Sequence, residues 1–277
     1  MESIGAYAFI TPNWKDLDYP LDLWLKHTLK MFDQIGIVTY GRVDGIPADP
    51  RITVHERKPV TANNYSFYTT GMQEAQAVLK TDWKVLLSID EFVASKIDVS
   101  VLNKNLVYSM ICRQLYGNIH TEIRSPDFTV RVTRIHHGYK PIQNDGFVGG
   151  KRSLFKVPGQ FWHTTMVRNP QALAIRWREL VGREMAEGDL RQERLLKYAK
   201  TTFDYHYYHE IWQNAYLVGV DTNDLPEILR DNKGRFHWAD FDKIRPLNGP
   251  FGYLLRVKLQ ADWLITQGIK RLKGVQL

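Results

Sequence analysis

An α/β fold built on an open sheet flanked by helices, followed by a mainly helical C-terminal stretch, is what this sequence predicts. Three observations predict it. Short apolar runs at 4–10, 35–40, 52–56 and 83–89 alternate with stretches of helical period. Their strand–helix–strand order implies a sheet joined by short crossovers. Beyond residue 170 the pattern turns to charged helices. With 277 residues, 44% of them hydrophobic, the chain can bury one large core or two small ones.

The elements follow in order. Residues 4–10, IGAYAFI, read as a buried strand, and Pro20 then opens a helix in which Leu21, Leu25, Leu29 and Phe32 recur at helical spacing. Asp22, Lys26 and Lys30 mark its polar face. A helix is expected over 72–79, leading into the strand at 83–89. The apolar run 106–115 fits a helix or a strand, and 129–135 alternates as a strand. The Gly-rich segment 145–150 reads as a flexible loop able to close over a ligand, or as an ordinary hairpin. Asn169 and Pro170 open two charged helices broken at Gly188.

Composition narrows the function classes. A single cysteine, Cys112, excludes an internal disulfide framework and a cysteine-based zinc cage. No apolar run reaches the roughly 18 residues that span a bilayer, and the N-terminus lacks a signal-peptide pattern, so a cytoplasmic chain is expected. The formal charge of +7 favours anionic partners without separating nucleic acid, acidic membrane and phosphate-bearing small molecules. The stretch 254–272 mixes Leu255, Leu259, Trp263 and Ile269 with Arg256, Lys258, Lys270 and Arg271; it fits a helix packed on the domain, or peripheral contact with an acidic membrane. Gly149-Gly150-Lys151 is not a phosphate loop, because Asp145 stands where the first glycine is required and Arg152 follows the lysine.

In open α/β sheets ligands sit beyond the carboxyl ends of strands, which directs attention to 11–13, 41–45 and 90–92. The sharpest feature is the strand 83–89 ending in Asp90-Glu91-Phe92. Two carboxylates at a strand end suit a hard divalent cation that takes its other oxygens from water and a diphosphate; a solvated strand boundary is the alternative.

In its order of parts the chain resembles the GT-A glycosyltransferases, particularly the inverting nucleotide-sugar type. The residues that carry the resemblance are Thr11-Pro12-Asn13, Val43-Asp44-Gly45, Ser88-Ile89-Asp90-Glu91-Phe92, Asp145-Gly146-Phe147, Trp162-His163 and Val167-Arg168-Asn169-Pro170. Ser88 stands where family members carry the first Asp of their Asp-x-Asp motif, and no acidic residue ends the second strand at Thr39-Tyr40. The resemblance implies a GT-A domain over 1–170, with a donor half to about 102 and an acceptor half beyond it, and a helical extension over 171–277. It implies a nucleoside-diphosphate sugar as donor and a glycan, lipid-linked or protein acceptor. The cofactor it implies is a divalent cation, Mn2+ or Mg2+, held by Asp90 with Glu91 assisting or orienting its neighbours, and with His163 as a further ligand. Thr11, Asn13, Asp44 and Arg168 would contact the donor, Arg168 by neutralising diphosphate charge. Asp145 would take the acceptor hydroxyl's proton, with Glu122 and Asp127 as alternates. Two other functions stay open: a catalytically silent relative or basic nucleic-acid-binding protein, and a sugar-phosphate nucleotidyltransferase.

Overall fold

The computed structural model describes residues 2–58 apart from 12, then 65–124, 131–142, 146–153, 156–169 and 216–238, with scattered positions in 171–175 and 250–265. Its strands are β1 Ile4–Ile10, β2 Gln34–Tyr40, β3 Ile52–Arg57, β4 Trp83–Leu86, β5 Glu91–Val93, β6 Leu106–Tyr116, β7 Asn118–Arg124, β8 Arg131–His136, β9 Pro141–Ile142, β10 Gly146–Phe147, β11 Lys151–Arg152, β12 Gln160–Met166 and β13 Tyr216–Gly219. The described helices are α1 Leu21–Met31, α2 Tyr65–Ala77 and the short α3 Glu227–Asp231, with 3-10 turns at Thr222–Asp224 and Lys233–Phe236.

Eleven strands form one mixed sheet in the order β13-β7-β6-β8-β4-β1-β2-β3, with β11 and β12 paired to β6 and β5 paired to β12. β1, β2, β3 and β4 run parallel, and β8 lies antiparallel to both β4 and β6. β6 therefore points the same way as β4, and β12 runs parallel to β6. The carboxyl ends of β1 to β4, β6 and β12 all reach one edge of the sheet, and β13, antiparallel to β7, delivers the chain to that edge too.

Local chemistry accounts for these elements. α1 begins at Pro20, carries Asp22 in its first turn and Lys30 in its last, in keeping with the helix dipole, and buries Leu21, Trp24, Leu25 and His27. The His27 imidazole Nε2 meets the Val93 carbonyl at 2.8 Å, tying α1 to β5. On the other face Gly36 lets α2 lie close on β2: a Cβ there would sit 2.7 Å from the Ala75 carbonyl oxygen. The main core joins both halves of the sheet, from Ile10, Trp24 and Ile37 through Val85 and Phe92 to Met110, Leu115, Phe161 and Trp162.

Two expected bounds differ in the structure, and two further stretches are made specific by it. The strand placed at 83–89 stops at Leu86, and the chain turns through 87–90 so that Glu91 can start β5 against β12. α2 starts earlier than residue 72, at Tyr65. The run 106–115, open between helix and strand, is the strand β6, paired on both sides, and a helix there would deprive β7, β8 and β12 each of one hydrogen-bonded neighbour. Beyond residue 170 the chain is not only helical: β13 is an edge strand of the same sheet, and Leu225, Ile228, Leu229 and Phe236 enter the main core. No helix among the described residues is long and apolar enough to cross a membrane.

Candidate functional site

Asp90 sits in the turn between β4 and β5, at the edge where the parallel strands end, and is 1% exposed. The Thr164 amide and hydroxyl both donate to its main-chain carbonyl, at 2.9 and 3.0 Å, which pins the turn to β12. Its side-chain Oδ2 accepts from Arg168 Nη2 and Thr165 Oγ1, and lies 3.3 Å from His163 Nε2. Thr165 also meets His163 Nε2 at 2.7 Å. Burial alone would raise the Asp90 carboxyl, but the charges of His163 and Arg168 and the hydrogen bonds from His163 and Thr165 outweigh it and hold Asp90 ionised far below the usual range. Burial would likewise lower the His163 imidazole; the Asp90 carboxylate, with help from Cys112 and Glu91, raises it well above its ordinary value.

Glu91 faces the other way. Its Oε1 accepts from Arg134 Nη2 at 2.7 Å and its Oε2 from the Ser88 amide at 2.8 Å. Arg168 is as buried as Asp90: Nη1 donates to the Leu17 carbonyl at 2.8 Å and the guanidinium lies over the Tyr19 ring at 3.7 Å. Leu17 and Tyr19 belong to the loop after β1, which Asp18 locks in place. Asp18 takes a left-handed backbone (φ 52), unusual outside glycine but tolerated by Asp, and its carboxylate accepts from the Asn169 amide at 3.0 Å and from Arg235.

The structure thus brings Asp90, Glu91, His163 and Arg168 together. The two terminal nitrogens of Arg168 donate to Leu17 and Asp90. Thr11 and Asn13 lie in the loop after β1, where their carbonyls accept from the Trp14 and Leu17 amides. Asp44 lies beyond the end of β2, is exposed, and pairs with Arg42 at 3.1 Å. Glu122 is buried in a pair with Arg113 at 2.7 Å, also touched by Arg124, and so is held by two guanidiniums. Asp145 and Asp127 lie outside the described residues. The expected lid is, where described, the small hairpin of β9 and β10, with Phe147 packed 4.5 Å from the His136 ring.

Thr165, Tyr19, Arg134 and Asp18 complete the site without having been singled out in the sequence. Thr165 had a signal, since it stands two residues from His163, the interval that puts strand residues on one face. Tyr19 and Arg134 had none, because their roles come from packing between distant segments.

The fit to a divalent cation is partial. Asp90 Oδ1 is buried and makes no hydrogen bond among the described residues, so it keeps lone pairs for a cation. Glu91 already orients Ser88 and Arg134, one through each carboxylate oxygen. Among the described residues no group of three or more His, Cys, Asp or Glu is arranged to hold a metal by itself. A cation at Asp90 would need most of its ligands from a bound diphosphate and water, the common pattern for magnesium.

No protein-family model matches the chain, and no curated protein sequence matches it. Among solved structures it is similar to two crystal structures of S. aureus TarS, a glycosyltransferase. The first is 8% identical with a TM-score of 0.35, over 76% of this chain and 44% of that one; the second, of TarS residues 1–349, is 8% identical with a TM-score of 0.30, over 76% and 74%. The chain therefore spans less than half the length of the first, and a likeness this distant leaves the fold to be read from the sheet itself.

Proposed function

We propose that this chain is a glycosyltransferase that moves a sugar from a nucleoside-diphosphate sugar to an acceptor hydroxyl, with inversion, on a GT-A type sheet. One observation carries the reading: a buried Asp90 stands beyond the carboxyl end of β4, in contact with His163 of β12 and with Arg168 just after it, which in turn reaches the loop after β1. That edge is where α/β sheets of this kind receive nucleotides.

In the proposed reaction the acceptor oxygen attacks the anomeric carbon and the bond from that carbon to the diphosphate oxygen breaks. The hydroxyl proton passes to a carboxylate, the role proposed for Asp145. The nucleoside diphosphate leaves as an anion. A divalent cation, bound through Asp90 Oδ1, would supply charge stabilisation for that leaving group. The chain's own part is preorganisation. Arg168 and Thr165 fix the Asp90 carboxylate, His163 lies against it, and Glu91 with Arg134 holds the turn that presents it.

Calorimetric titration with UDP, GDP and dTDP, each with and without manganese, tests the reading. Metal-dependent binding to one of them, lost in Asp90→Asn while the thermal transition survives, is the expected result. Nucleoside diphosphates that do not bind, with or without metal, would overturn it. Tight, salt-sensitive binding of nucleic acid with no nucleotide response would point to the basic binding protein instead.

A further inference from the structure

A cavity of about 400 Å³ lies between the start of β7 and the turn Lys233–Phe236, outside the group of residues around Asp90. Its lining is divided by character. Ile119 and Phe236, each 2% exposed, form an apolar floor, while Asn118, His120, Lys233 and His237 stand around the mouth with Gly234. Among the described residues no carboxylate lines it. Asn118 has its amide oxygen occupied, accepting from the His120 amide at 2.9 Å and the Thr121 hydroxyl at 3.0 Å, so what it offers a ligand is its NH2 group. Such a site combines apolar area with donors and positive charge, and so selects a body with an oxyanion attached.

Topology places it. β7 starts at the edge where β4, β6 and β12 end, because the Gly117 amide between β6 and β7 donates to the Met166 carbonyl at the end of β12. The Lys233–Phe236 turn reaches the same edge from the other side, with Arg235 on the Asp18 carboxylate whose other oxygen holds the Asn169 amide. Asn169 adjoins Arg168, the partner of Asp90. Cavity and carboxylate therefore share one wall of the molecule, joined by the Asp18 loop.

We infer that this cavity seats the acceptor of the reaction, and that the acceptor carries an oxyanion, a phosphate or a carboxylate, beside an apolar portion. The inference rests on the glycosyltransferase reading. It goes further in naming the acceptor's chemistry and the residues that select it: Lys233, His120 and Asn118 for the anion, Ile119 and Phe236 for the apolar body.

Gly234 supplies a clean probe. Among the described residues a Cβ added there meets nothing within 4 Å, so Gly234→Glu sets a carboxylate at the mouth of the cavity. Phenyl phosphate and its neutral counterpart benzyl alcohol are titrated into the full chain by calorimetry, beside UDP with manganese. Phenyl phosphate should bind about tenfold more tightly than benzyl alcohol, lose about tenfold in Lys233→Ala, and show no binding to Gly234→Glu. Both variants should keep the wild-type thermal transition and UDP affinity, and saturating UDP should leave phenyl phosphate affinity unchanged. Equal affinity for the two probes, wild-type phenyl phosphate binding by Gly234→Glu, or displacement of phenyl phosphate by UDP overturns the inference. If UDP binds with manganese and phenyl phosphate does not, only the acceptor assignment fails. If phenyl phosphate binds in the predicted pattern while no nucleoside diphosphate binds, the glycosyltransferase reading fails, and the acceptor role with it, leaving a bare oxyanion site.

Discussion

At the scale of single residues the site depends on a buried charge being fully answered. Asp90 and Arg168 are both about 1% exposed and bonded to one another, so removing the guanidinium strands a carboxylate in the interior. Arg168→Met should cost about 3–5 kcal/mol in urea unfolding. The double change Asp90→Asn with Arg168→Met should recover much of that loss, because the stranded charge is gone. A second residue makes stability depend on pH. His136 is fully buried, with Nε2 3.0 Å from the Tyr7 hydroxyl and Phe147 against its ring, and burial with the nearby positive charges of Lys84 and His137 pushes its imidazole down to about 3. Its folded pKa lies below its unfolded value, so between about 6.5 and 3 the unfolded chain takes a proton that the folded chain refuses. From this residue, stability is complete above pH 6.5 and falls by about 1.4 kcal/mol per pH unit below it, the loss levelling off near pH 3. In His136→Gln the urea midpoint should depend less steeply on pH between 6.5 and 4; an unchanged slope would place the acid sensitivity elsewhere.

At the scale of elements, the close seat of α2 on β2 depends on Gly36, where a Cβ would come within 2.7 Å of the Ala75 carbonyl oxygen and 2.9 Å of Leu79 Cγ. Gly36→Ala must lift that end of the helix, and a cost of about 1–3 kcal/mol in the urea midpoint is expected. Gly234→Ala, with open space around its Cβ, is the control and should be close to neutral. Elements of this kind were largely legible in the sequence. The strands at 4–10, 35–40 and 52–56 and the helix after Pro20 come within a residue or two of their observed bounds, because each is one amphipathic or apolar run whose period is local information. The end of β4 was not legible. Residues 87–89 continue the apolar pattern, and Leu87 and Ile89 are indeed buried, but they are buried in a turn. What bends the chain there is a local turn, in which Glu91 holds the Ser88 amide, fixed by the Thr164 grip on the Asp90 carbonyl, a contact 74 residues away that no local pattern can report. For the same reason the sequence pointed to Asp90, His163 and Arg168 as a group but not to Arg168 as a brace for Asp90.

At the scale of the whole molecule, the division at residue 170 that the sequence suggested does not divide the sheet. The segment 216–238 returns to it as β13, crosses the carboxyl edge, and is fastened at four places: the Val220 amide on the His120 carbonyl at 2.9 Å, Arg113 on Asp224 at 3.5 Å, Lys30 on Glu227 at 2.6 Å, and Arg235 on Asp18. The exposed Lys30 pair adds little. The hold comes from Leu225, Leu229 and Phe236, which are 3% exposed or less and belong to the core that also contains Trp24, Phe92 and Trp162. One core implies one cooperative unit, because a segment that supplies core side chains cannot leave without opening cavities in what remains. Leu229→Ala should therefore cost about 2–5 kcal/mol, and the loss should appear equally in tryptophan fluorescence and in far-ultraviolet dichroism. Arg235→Met makes the complementary test, since it releases the segment from the Asp18 loop while keeping its core residues. Hydrogen exchange should quicken over 230–238 and over the loop after β1, and stay at the wild-type rate in β1, β2 and β4. Were 216–238 an appended domain, Leu229→Ala would split unfolding into two transitions and Arg235→Met would leave the β1 loop untouched.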